Sequence, residues 1–315
     1  MKFEILRATE LASIEAYKLT GCGDKISIDQ VALDQIRKNL NNIDFLGKVV
    51  LSEGTKDSAP NFNKNELVGK KRLELTTSTG SVAENINEPY CWSVLADVVD
   101  GTTEVANGGS EAISVVVVGK QDAFYVSDYH YMMKMAVGPK IAAAKLDIRD
   151  SLERTLILAA KFADKSLGNF VVCLLNRPRH NDLINTLRRI GVRIKLINNC
   201  DITAAIATCF PESNIDMLLG IGGNPEGLIS AAGLKCLGGD FQCILCDNQF
   251  NLLSNQYYNN EILISGNLIF CMTSVLNGML LRGVRYVPGG YITHSLMTDS
   301  AARSLQRIET FHWVA

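Results

Sequence analysis

Predicted strands and helices alternate through the second half of the chain, and this alternation constrains the fold more than any other feature. Three short apolar runs predict buried strands, at residues 169–175, 193–197 and 216–219. Three segments with helical spacing alternate with them, at residues 181–189, 202–209 and 225–234. Because strand–helix–strand units pack as crossover connections, this order predicts a parallel or mixed sheet with helices on its faces.

The first half of the chain is organised differently. It predicts two amphipathic helices, from about Thr9 to Lys18 and from about Ser27 onward. Three β runs follow, at residues 47–51, 93–96 and 113–118. The change of pattern near residue 165 predicts two domains, an N-terminal α+β domain over 1–165 and a C-terminal α/β domain over 166–315.

The composition is that of a globular protein with nearly balanced charge. Hydrophobic residues make up 47% of the 315 residues and charged residues 20%, which excludes a disordered chain and a coiled coil. Lys and Arg number 31 against 33 Asp and Glu, so the chain lacks a basic footprint for nucleic acid or an anionic membrane. No apolar run approaches the ~20 residues that a membrane span needs.

The N-terminal residues and the cysteines indicate an intracellular protein. Glu4 comes early and no small-residue cleavage site follows, so the N-terminus lacks the pattern of a signal peptide. Most of the nine cysteines lie inside apolar runs, which is typical of reduced, buried thiols. We therefore expect a cytoplasmic location, or a stroma-like plastid compartment if the source is a photosynthetic eukaryote.

Acidic residues recur where predicted β runs break into turns, with one more at the start of a helix. These six carboxylates are Asp29, Glu53, Asp57, Asp97, Asp100 and Glu226. Any single one has an ordinary explanation, because Asp beside Gly is common turn chemistry. Together at sheet ends they would repel one another without cations, and hard oxygen ligands favour Mg²⁺ or Mn²⁺, usually with a phosphate. The sequence therefore predicts a divalent-metal site.

The segment Asp97-Val-Val-Asp100-Gly101-Thr102 is the most informative of these. Asp97 ends a predicted strand and Asp100 lies on the turn, so that both carboxylates can hold metal. The backbone amides of Gly101 and Thr102, at the N-terminus of a following helix, can face a phosphate.

Other candidate groups have weaker patterns. Arg177 and Arg179 carry planar guanidinium groups suited to a phosphate, although a solvated pair of loop charges is the commoner explanation. His180 beside them is more often a structural hydrogen-bonding residue than a catalytic one. Cys243 and Cys246 have redox or metal spacing, but the apolar residues between them favour buried thiols.

The Asp97–Thr102 segment resembles the Asp-Pro-x-Asp-Gly-Thr motif of the magnesium-dependent, lithium-sensitive phosphatase superfamily. Val98 stands where that motif has proline, a change that removes no ligand. Further segments, in the same order, resemble the class II fructose-1,6-bisphosphatases, most closely the cyanobacterial-type fructose-1,6-/sedoheptulose-1,7-bisphosphatases. They lie at residues 21–25, 52–60, 128–139, 177–180, 220–227, 236–242, 280–286 and 289–296. The match covers nearly the whole chain, with an insertion at about 66–90 as in the cyanobacterial type.

Position by position, the resemblance implies a metal and catalytic group. The implied metal ligands are Asp29, Glu53, Asp97, Asp100 and Glu226. The family usually has Glu at the position of Asp100, and the shorter Asp matches the wider superfamily. The implied catalytic residues are Asp57 and Thr102, which orient the attacking water, and Lys25 beside the metals.

The resemblance also implies a substrate-binding group. Tyr131, Arg177 and Arg179 match positions that hold the distal, non-reacting phosphate, and Thr102 also contacts substrate. Asp201 matches a residue that hydrogen-bonds the sugar hydroxyls. The family has a second Asp two residues earlier, where this chain has Asn199.

The fold and activity implied by the resemblance follow from these assignments. The fold would be a layered α-β-α-β-α sugar-phosphatase fold, with metal and phosphate bound by the N-terminal domain and the active site completed by the C-terminal one. The activity would be Mg²⁺- or Mn²⁺-dependent hydrolysis of the 1-phosphate of fructose 1,6-bisphosphate and sedoheptulose 1,7-bisphosphate, in gluconeogenesis or the Calvin cycle. We expect a sugar bisphosphate as the small-molecule partner, a homotetramer, and no nucleic-acid or membrane partner.

Two alternatives stay open at this point. Val98, Asn199, Thr55 and a segment over 243–265 that is shorter than in the family motivate a catalytically impaired paralogue with a structural or regulatory role. The second alternative is a superfamily enzyme for another phosphate ester, such as an inositol phosphate.

Overall fold

The chain divides into two compact units of contacting residues. The computed structural model describes residues 1–52, 60–72 and 91–314. The first unit comprises residues 1–124 and 266–315, and the second comprises residues 125–265. This division differs from the expected one at residue 165, because the last four strands of the chain join the sheet of the first four. The expected boundary therefore falls inside the second unit.

The described residues form nine α-helices and fourteen strands. The helices are α1 Lys2–Lys18, α2 Lys25–Leu40, α3 Thr102–Asn107, α4 Pro139–Ala142, α5 Leu152–Ala163, α6 Asn181–Ile190, α7 Asp201–Ala207, α8 Asn224–Leu237 and α9 Asn260–Leu263. The first seven strands are β1 Gly47–Ser52, β2 Leu67–Val68, β3 Trp92–Asp100, β4 Ala112–Lys120, β5 Tyr131–Val137, β6 Val171–Leu175 and β7 Arg193–Ile197. The others are β8 Met217–Gly223, β9 Asp240–Cys246, β10 Leu252–Asn259, β11 Leu268–Leu276, β12 Arg285–Val287, β13 Gly290–Asp299 and β14 Ser304–Trp313.

The first unit is a mostly antiparallel sheet packed against α1 and α2. Its strand order is β12-β13-β11-β4-β3-β1-β2, and β14 pairs with β13. Only β1 and β3 pair in parallel among the described strands of this sheet. Buried side chains of the two helices, including Ile5 and Ile36, pack with Val94 and Val116 of the central strands. Because burial of such side chains drives folding, this cluster fixes the position of the β3 end and of α2.

The second unit contains a six-stranded mixed sheet. Its order is β10-β9-β5-β8-β6-β7, in which β6 runs parallel to both β7 and β8. A second core joins α5 and α6 to the sheet through residues such as Leu156, Leu187 and Val172. The predicted mixed sheet with helices is therefore confirmed, and with it the α/β fold class with two sheet-containing parts.

The predicted elements agree well with the observed ones in the second unit and less well at the N-terminus. Strand β7 begins and ends as predicted, and helices α6 and α8 begin within one residue of prediction. Helix α1 starts at Lys2, well before the predicted Thr9, because Ile5 and Leu6 are buried and extend the apolar face. None of the helices in the described ranges has the length and apolarity needed to cross a bilayer.

Candidate active site

A β-bulge at the end of β3 places Asp97 and Asp100 on the same face of the first sheet. Residues three apart normally face opposite sides of a strand. Here Asp97 lies opposite Val115 of β4, whereas Asp100 lies opposite Ile113, so β3 contains one residue more than β4 over this stretch. Val115 and Ile113 are two apart and share a face, and so therefore do the two carboxylates. Both are buried, with 1% of Asp97 and 8% of Asp100 exposed.

The same bulge accounts for Val98 at the position where the superfamily motif has proline. Val98 lies within the irregular stretch between Asp97 and Asp100. Proline is tolerated in a sheet mainly at bulges and edges, because it has no N–H to donate to the ladder. A bulge can therefore accept either residue, and the valine leaves the two carboxylates together.

Thr102 connects this strand end to helix α2. Its hydroxyl donates to Asp29 Oδ1 at 2.8 Å and lies equally close to the carbonyl oxygen of Val99. Asp29 is 8% exposed, and burial raises the pKa of its carboxyl to about 6, while the Thr102 hydrogen bond and the charge of Lys25 act in the opposite direction. A carboxylate at this position is thus electrostatically disfavoured and would be stabilised by an added cation.

Lys25 is exposed at the first position of α2, one turn before Asp29. Asp24 caps this helix by accepting from the Ser27 backbone N–H. The preceding loop is anchored to α3, because Gly21 N–H and Gly23 N–H donate to carbonyl oxygens of that helix. The segment 21–25 therefore links the two helices that carry Asp29 and Thr102.

Two of the predicted site residues lie outside the described residues. They are Glu53, a predicted metal ligand, and Asp57, a predicted catalytic residue. Of the other predicted ligands, Asp29, Asp97 and Asp100 belong to the first unit and Glu226 to the second. Within the described ranges, no group of three or more His, Cys, Asp or Glu side chains is placed to hold a metal ion.

In the second unit, Glu226 lies in the first turn of α8, immediately after β8. Its carboxylate folds back over the backbone, and a Cβ added to Gly223 would lie 2.0 Å from Glu226 Oε2. That oxygen is buried and accepts no hydrogen bond from the residues that the structure describes. A buried carboxylate oxygen of this kind is costly unless a cation or donor reaches it.

A buried ion pair lies beside this turn. Lys134 of β5 is 1% exposed, and its Nζ lies 2.7 Å from Asp201 Oδ2 at the start of α7. Lys134 Nζ also donates to the Gly223 carbonyl oxygen at 3.2 Å. A Cβ at Gly222 would lie 2.4 Å from the Asp201 carboxylate and 2.5 Å from the Lys134 side chain. Glycine is therefore required at residue 222 for the pair to approach the backbone.

Arg179 is held between a carbonyl group and two aromatic rings. Its Nε and Nη2 donate to the Ile221 carbonyl oxygen at 3.1 and 2.8 Å. Its guanidinium carbon lies 4.8 Å from the ring centroid of Phe250 and 6.0 Å from that of Tyr131, and the two rings meet edge to face. Burial lowers the pKa of Arg179, and the nearby charge of Arg177 lowers it further.

Arg177 is held by the loop after β7. Its Nη2 donates to the Asn198 carbonyl oxygen at 2.6 Å and to Asn199 Oδ1 at 3.3 Å. Asn199, which replaces the family's Asp, thus remains a hydrogen-bond acceptor for Arg177 but adds no negative charge. Two guanidinium groups that repel each other offer a favourable position for an anion.

The structure confirms the structural interpretation of His180. Its Nδ1 lies 2.7 Å from the Leu175 carbonyl oxygen, and its Nε2 lies 2.8 Å from the Ile221 backbone N–H. The carbonyl can only accept and the amide can only donate, so the ring is neutral with its hydrogen on Nδ1. Burial lowers the pKa of His180 and supports that neutral form.

The interpretation of Cys243 and Cys246 as buried thiols is also confirmed. Both lie in β9 with their side chains inaccessible to solvent. Burial raises the pKa of Cys243 to about 12 and raises that of Cys246. Thiols of this kind are poor nucleophiles and poor metal ligands at neutral pH.

Sequence reasoning missed two residues of the second unit, Lys134 and Phe250. A signal for Lys134 was present, because a lysine inside the apolar strand Tyr131–Val137 has to be paired if that strand is buried. Phe250 carried no such signal. It lies in the turn between β9 and β10 with a positive φ of 66°, and only the three-dimensional structure brings it onto Arg179.

Comparisons with known proteins give a consistent result over the whole chain. Residues 1–312 match the family model described as bacterial fructose-1,6-bisphosphatase, glpX-encoded. A D-fructose 1,6-bisphosphatase class 2/sedoheptulose 1,7-bisphosphatase from Synechococcus elongatus is 31% identical, over 98% of this chain and 95% of the relative. A protein of the same name from Thermosynechococcus vestitus is 32% identical, over 98% of this chain and 94% of the relative. The chain therefore belongs to the bacterial, glpX-encoded fructose-1,6-bisphosphatase family, a family of phosphoric monoester hydrolases.

Proposed function

We propose that this chain hydrolyses the 1-phosphate of fructose 1,6-bisphosphate, and the corresponding phosphate of sedoheptulose 1,7-bisphosphate, to give the sugar monophosphate and orthophosphate. The observation that carries the proposal is the pair of buried carboxylates, Asp97 and Asp100, which the β3 bulge brings to one face. Such a pair has little structural purpose in a sheet, because burial of like charges is unfavourable. In a chain of this family it is well suited to metal-assisted phosphate chemistry.

The donor chemistry of these residues fits a divalent cation such as Mg²⁺ or Mn²⁺. Asp29 has a raised pKa caused by burial, and Glu226 Oε2 is buried without a hydrogen bond from the described residues. Carboxylate oxygens are the ligands that both ions prefer. The ligands that the family resemblance implies are Asp29, Asp97 and Asp100 of the first unit and Glu226 of the second, together with Glu53, which lies outside the described residues. Such a cation supplies positive charge that neutralises the phosphate and makes a nearby water more acidic.

The chain's own residues then orient the reacting groups. Thr102 and Asp57 position the attacking water, and the hydrogen bond from Thr102 to Asp29 fixes the hydroxyl for that purpose. Lys25 contributes positive charge near Asp29. In-line attack forms a bond between the water oxygen and phosphorus while the bond from phosphorus to the sugar oxygen breaks. The water gives up one proton and the leaving sugar oxygen takes one up, so the requirements are positioning and charge stabilisation.

The second unit holds the part of the substrate that does not react. Arg179 and Arg177 bind the distal phosphate, with Tyr131 packed beside Arg179. Asp201 accepts from sugar hydroxyls, since a carboxylate that pairs with Lys134 through one oxygen retains further acceptor positions. Binding energy from the distal end is used to orient the reacting phosphate.

A substrate and metal panel tests the proposal directly. We expect orthophosphate release from fructose 1,6-bisphosphate with Mn²⁺ or Mg²⁺ and none with EDTA, with sedoheptulose 1,7-bisphosphate also hydrolysed. No release from either bisphosphate would instead favour the impaired-paralogue alternative. Preferential hydrolysis of inositol 1-phosphate would favour the superfamily enzyme with another substrate. Measuring the mass of the same protein tests the expected homotetramer.

A further inference from the structure

Strand β14 forms an edge of the sheet in the first unit. Within the described residues it pairs with β13 alone, over ten residue pairs from Gly290–Trp313 to Asp299–Ser304. Long edge strands expose backbone N–H and C=O groups that invite another strand, and proteins usually protect them. We propose that β14 pairs in antiparallel fashion with β14 of a second copy of this chain.

The two faces of β14 differ sharply. Thr310 donates to Glu10 of α1, and Ile308 packs against the core of the first unit, so even-numbered residues face the helices. Odd-numbered residues lie on the other face and are exposed: the exposed fraction is 45% for Leu305, 38% for Phe311 and 84% for Trp313. A tryptophan that exposed is unusual on a face that meets no partner.

The hydrogen bond at the end of the strand shows which backbone groups point outward. Val314 N–H donates to the Gly289 carbonyl oxygen at 3.1 Å, so even-numbered residues direct their backbone groups toward β13. In an antiparallel ladder these directions alternate, and odd-numbered residues therefore direct theirs to the open edge. A second copy of β14 can therefore form backbone hydrogen bonds at this edge only in a register that places its odd-numbered residues opposite those of the first copy.

Several symmetric registers place odd-numbered residues of the two β14 strands opposite each other, and the charged side chains of β14 favour one of them. The midpoint of β14, Ser304–Trp313, lies between Ile308 and Glu309. A two-fold axis through either of these residues therefore gives the longest overlap between the two β14 strands. An axis at Glu309 places that carboxylate opposite itself, which is destabilising. An axis at Ile308 instead places Arg307 opposite Glu309 of the partner subunit, and does so twice by symmetry. Glu309 Oε2 also lies 2.9 Å from His294 Nε2 of its own chain, and a carboxylate can accept from both groups.

The same register pairs the remaining exposed side chains favourably. Leu305 then lies opposite Phe311 of the partner subunit, so two exposed apolar side chains cover each other. About eight backbone hydrogen bonds would form across the axis. This self-complementarity is the reason to identify the occupant as a second copy and not another protein.

Charge reversal and its rescue test the proposal in the full-length protein. Light scattering after gel filtration should give an even oligomer for the unmodified chain. R307E places like charges at both Arg–Glu positions and should halve the mass, whereas the swap R307E/E309R restores opposite charges and should restore the mass. R189E, a reversal at an exposed arginine of α6, is the matched control and should leave the mass unchanged. A monomeric unmodified chain, or a folded R307E variant of unchanged mass, overturns the proposal.

Cross-linking tests the register independently of the charges. In the proposed register Ile308 lies directly opposite Ile308 of the partner subunit at a non-hydrogen-bonded position, where Cα atoms are about 4.5 Å apart and a disulfide can form. I308C should therefore form a covalent dimer on treatment with diamide. Q306C places the thiols roughly 13 Å apart and should behave like the unmodified chain. Failure of I308C to cross-link beyond the Q306C level, in protein with native circular dichroism, overturns this register.

Discussion

The two units gather charged side chains in opposite ways. The first unit buries acids, with Asp97 and Asp100 on one face of β3 and Asp29 held next to Thr102. The second unit buries an acid together with its base, since Asp201 and Lys134 lie 2.7 Å apart. The Lys134–Asp201 pair of the second unit is thus balanced within the chain, whereas the buried acids of the first unit are suited to a cation from solution.

This difference changes what a substitution should do in each unit. Removal of a carboxylate from the first unit relieves like-charge repulsion, so it should cost activity without costing stability. Removal of one member of the Lys134–Asp201 pair leaves a buried charge uncompensated, so it should cost stability as well. Four predictions test this contrast.

The largest expected effect is that of Asp97→Asn on turnover. The amide retains the size of the side chain but loses the charge that we propose holds a cation. We expect kcat to fall on the order of 1,000-fold, as for the loss of a central electrostatic group in other active sites. The free energy of urea unfolding of the metal-free protein should be unchanged or higher. Phosphate release with Mn²⁺ and urea titration measure the two quantities.

Asp34→Asn is the control for this substitution. Asp34 lies on α2, with 58% of its side chain exposed, and carries no predicted role in the site. Its replacement should leave both kcat and stability close to those of the unmodified chain. Near-normal turnover of the Asp97 variant with metal present would remove Asp97 from the proposed ligand set.

Lys134→Met should have the largest effect on stability. The ammonium group is buried against Asp201, and its removal leaves that carboxylate without its cation. We expect the free energy of unfolding to fall by about 3–5 kcal/mol, the usual cost of breaking a buried pair on one side. The double variant K134M/D201N should lose less than K134M alone, because no buried charge remains.

The exposed pair Lys140–Asp164 provides the matched comparison in the same unit. Its atoms lie 2.6 Å apart, but 63% and 80% of the side chains are exposed. Such surface pairs contribute about 0–1 kcal/mol, so Lys140→Met should have little effect. If K134M and K140M were equally stable, the idea that the second unit depends on its internal charge balance would be wrong.

A third, smaller effect is expected from Arg179→Ala. If Arg179 binds the distal phosphate, its loss removes hydrogen bonds to a charged group worth about 1.5–3 kcal/mol, and KM for fructose 1,6-bisphosphate should rise roughly 10- to 100-fold. The kcat value should change less, since Arg179 is not among the residues proposed to act on the reacting phosphate. Arg189→Ala, at an exposed arginine of α6, is the control. An unchanged KM would exclude Arg179 from the phosphate site.

The sequence predicted the secondary structure within each unit better than the residues at which the units begin and end. Strands of the second unit were recognised because their apolar runs are short and bounded by turn residues, and β7 agrees in both limits. The division at residue 165 did not anticipate the return of β11–β14 to the first sheet, because strand pairing over more than 150 residues leaves no local trace in the pattern.

The site residues show a similar contrast. The motif Asp97-x-x-Asp100 could be read directly, but the bulge that brings the two carboxylates to one face depends on pairing with β4. The pairing of Asp201 with Lys134 and the packing of Phe250 on Arg179 join residues distant in sequence, and no local spacing predicts them. The spacing of residues along the sequence predicts which side chains can bind metal or phosphate. Contacts between residues distant in sequence determine which group compensates each charge.

The smallest expected effect is a difference in the pH dependence of stability between the units. Burial raises the pKa of Asp29 to about 6, above its value of 3.8 in an unfolded chain. Its folded form therefore binds the proton more readily, and Asp29 makes the metal-free protein more stable as the pH falls through 6. Burial lowers the pKa of His180 below 6.5, so the unfolded form binds that proton more readily. The stability contributed by the neutral His180 is complete above pH 6.5 and is lost as the pH falls below it.

The two variants should consequently shift the pH profile in opposite directions. Urea unfolding in EDTA between pH 7.5 and pH 5 measures the stability that each protein loses on acidification. Compared with the unmodified chain, Asp29→Asn should lose more, because the stabilising protonation of the first unit is gone. His180→Asn should lose less, because its amide can still donate to the Leu175 carbonyl oxygen but no longer titrates. Shifts of the same sign in both variants would contradict the contrast between Asp29, whose charge is disfavoured by burial, and His180, whose neutral ring is already fully hydrogen-bonded.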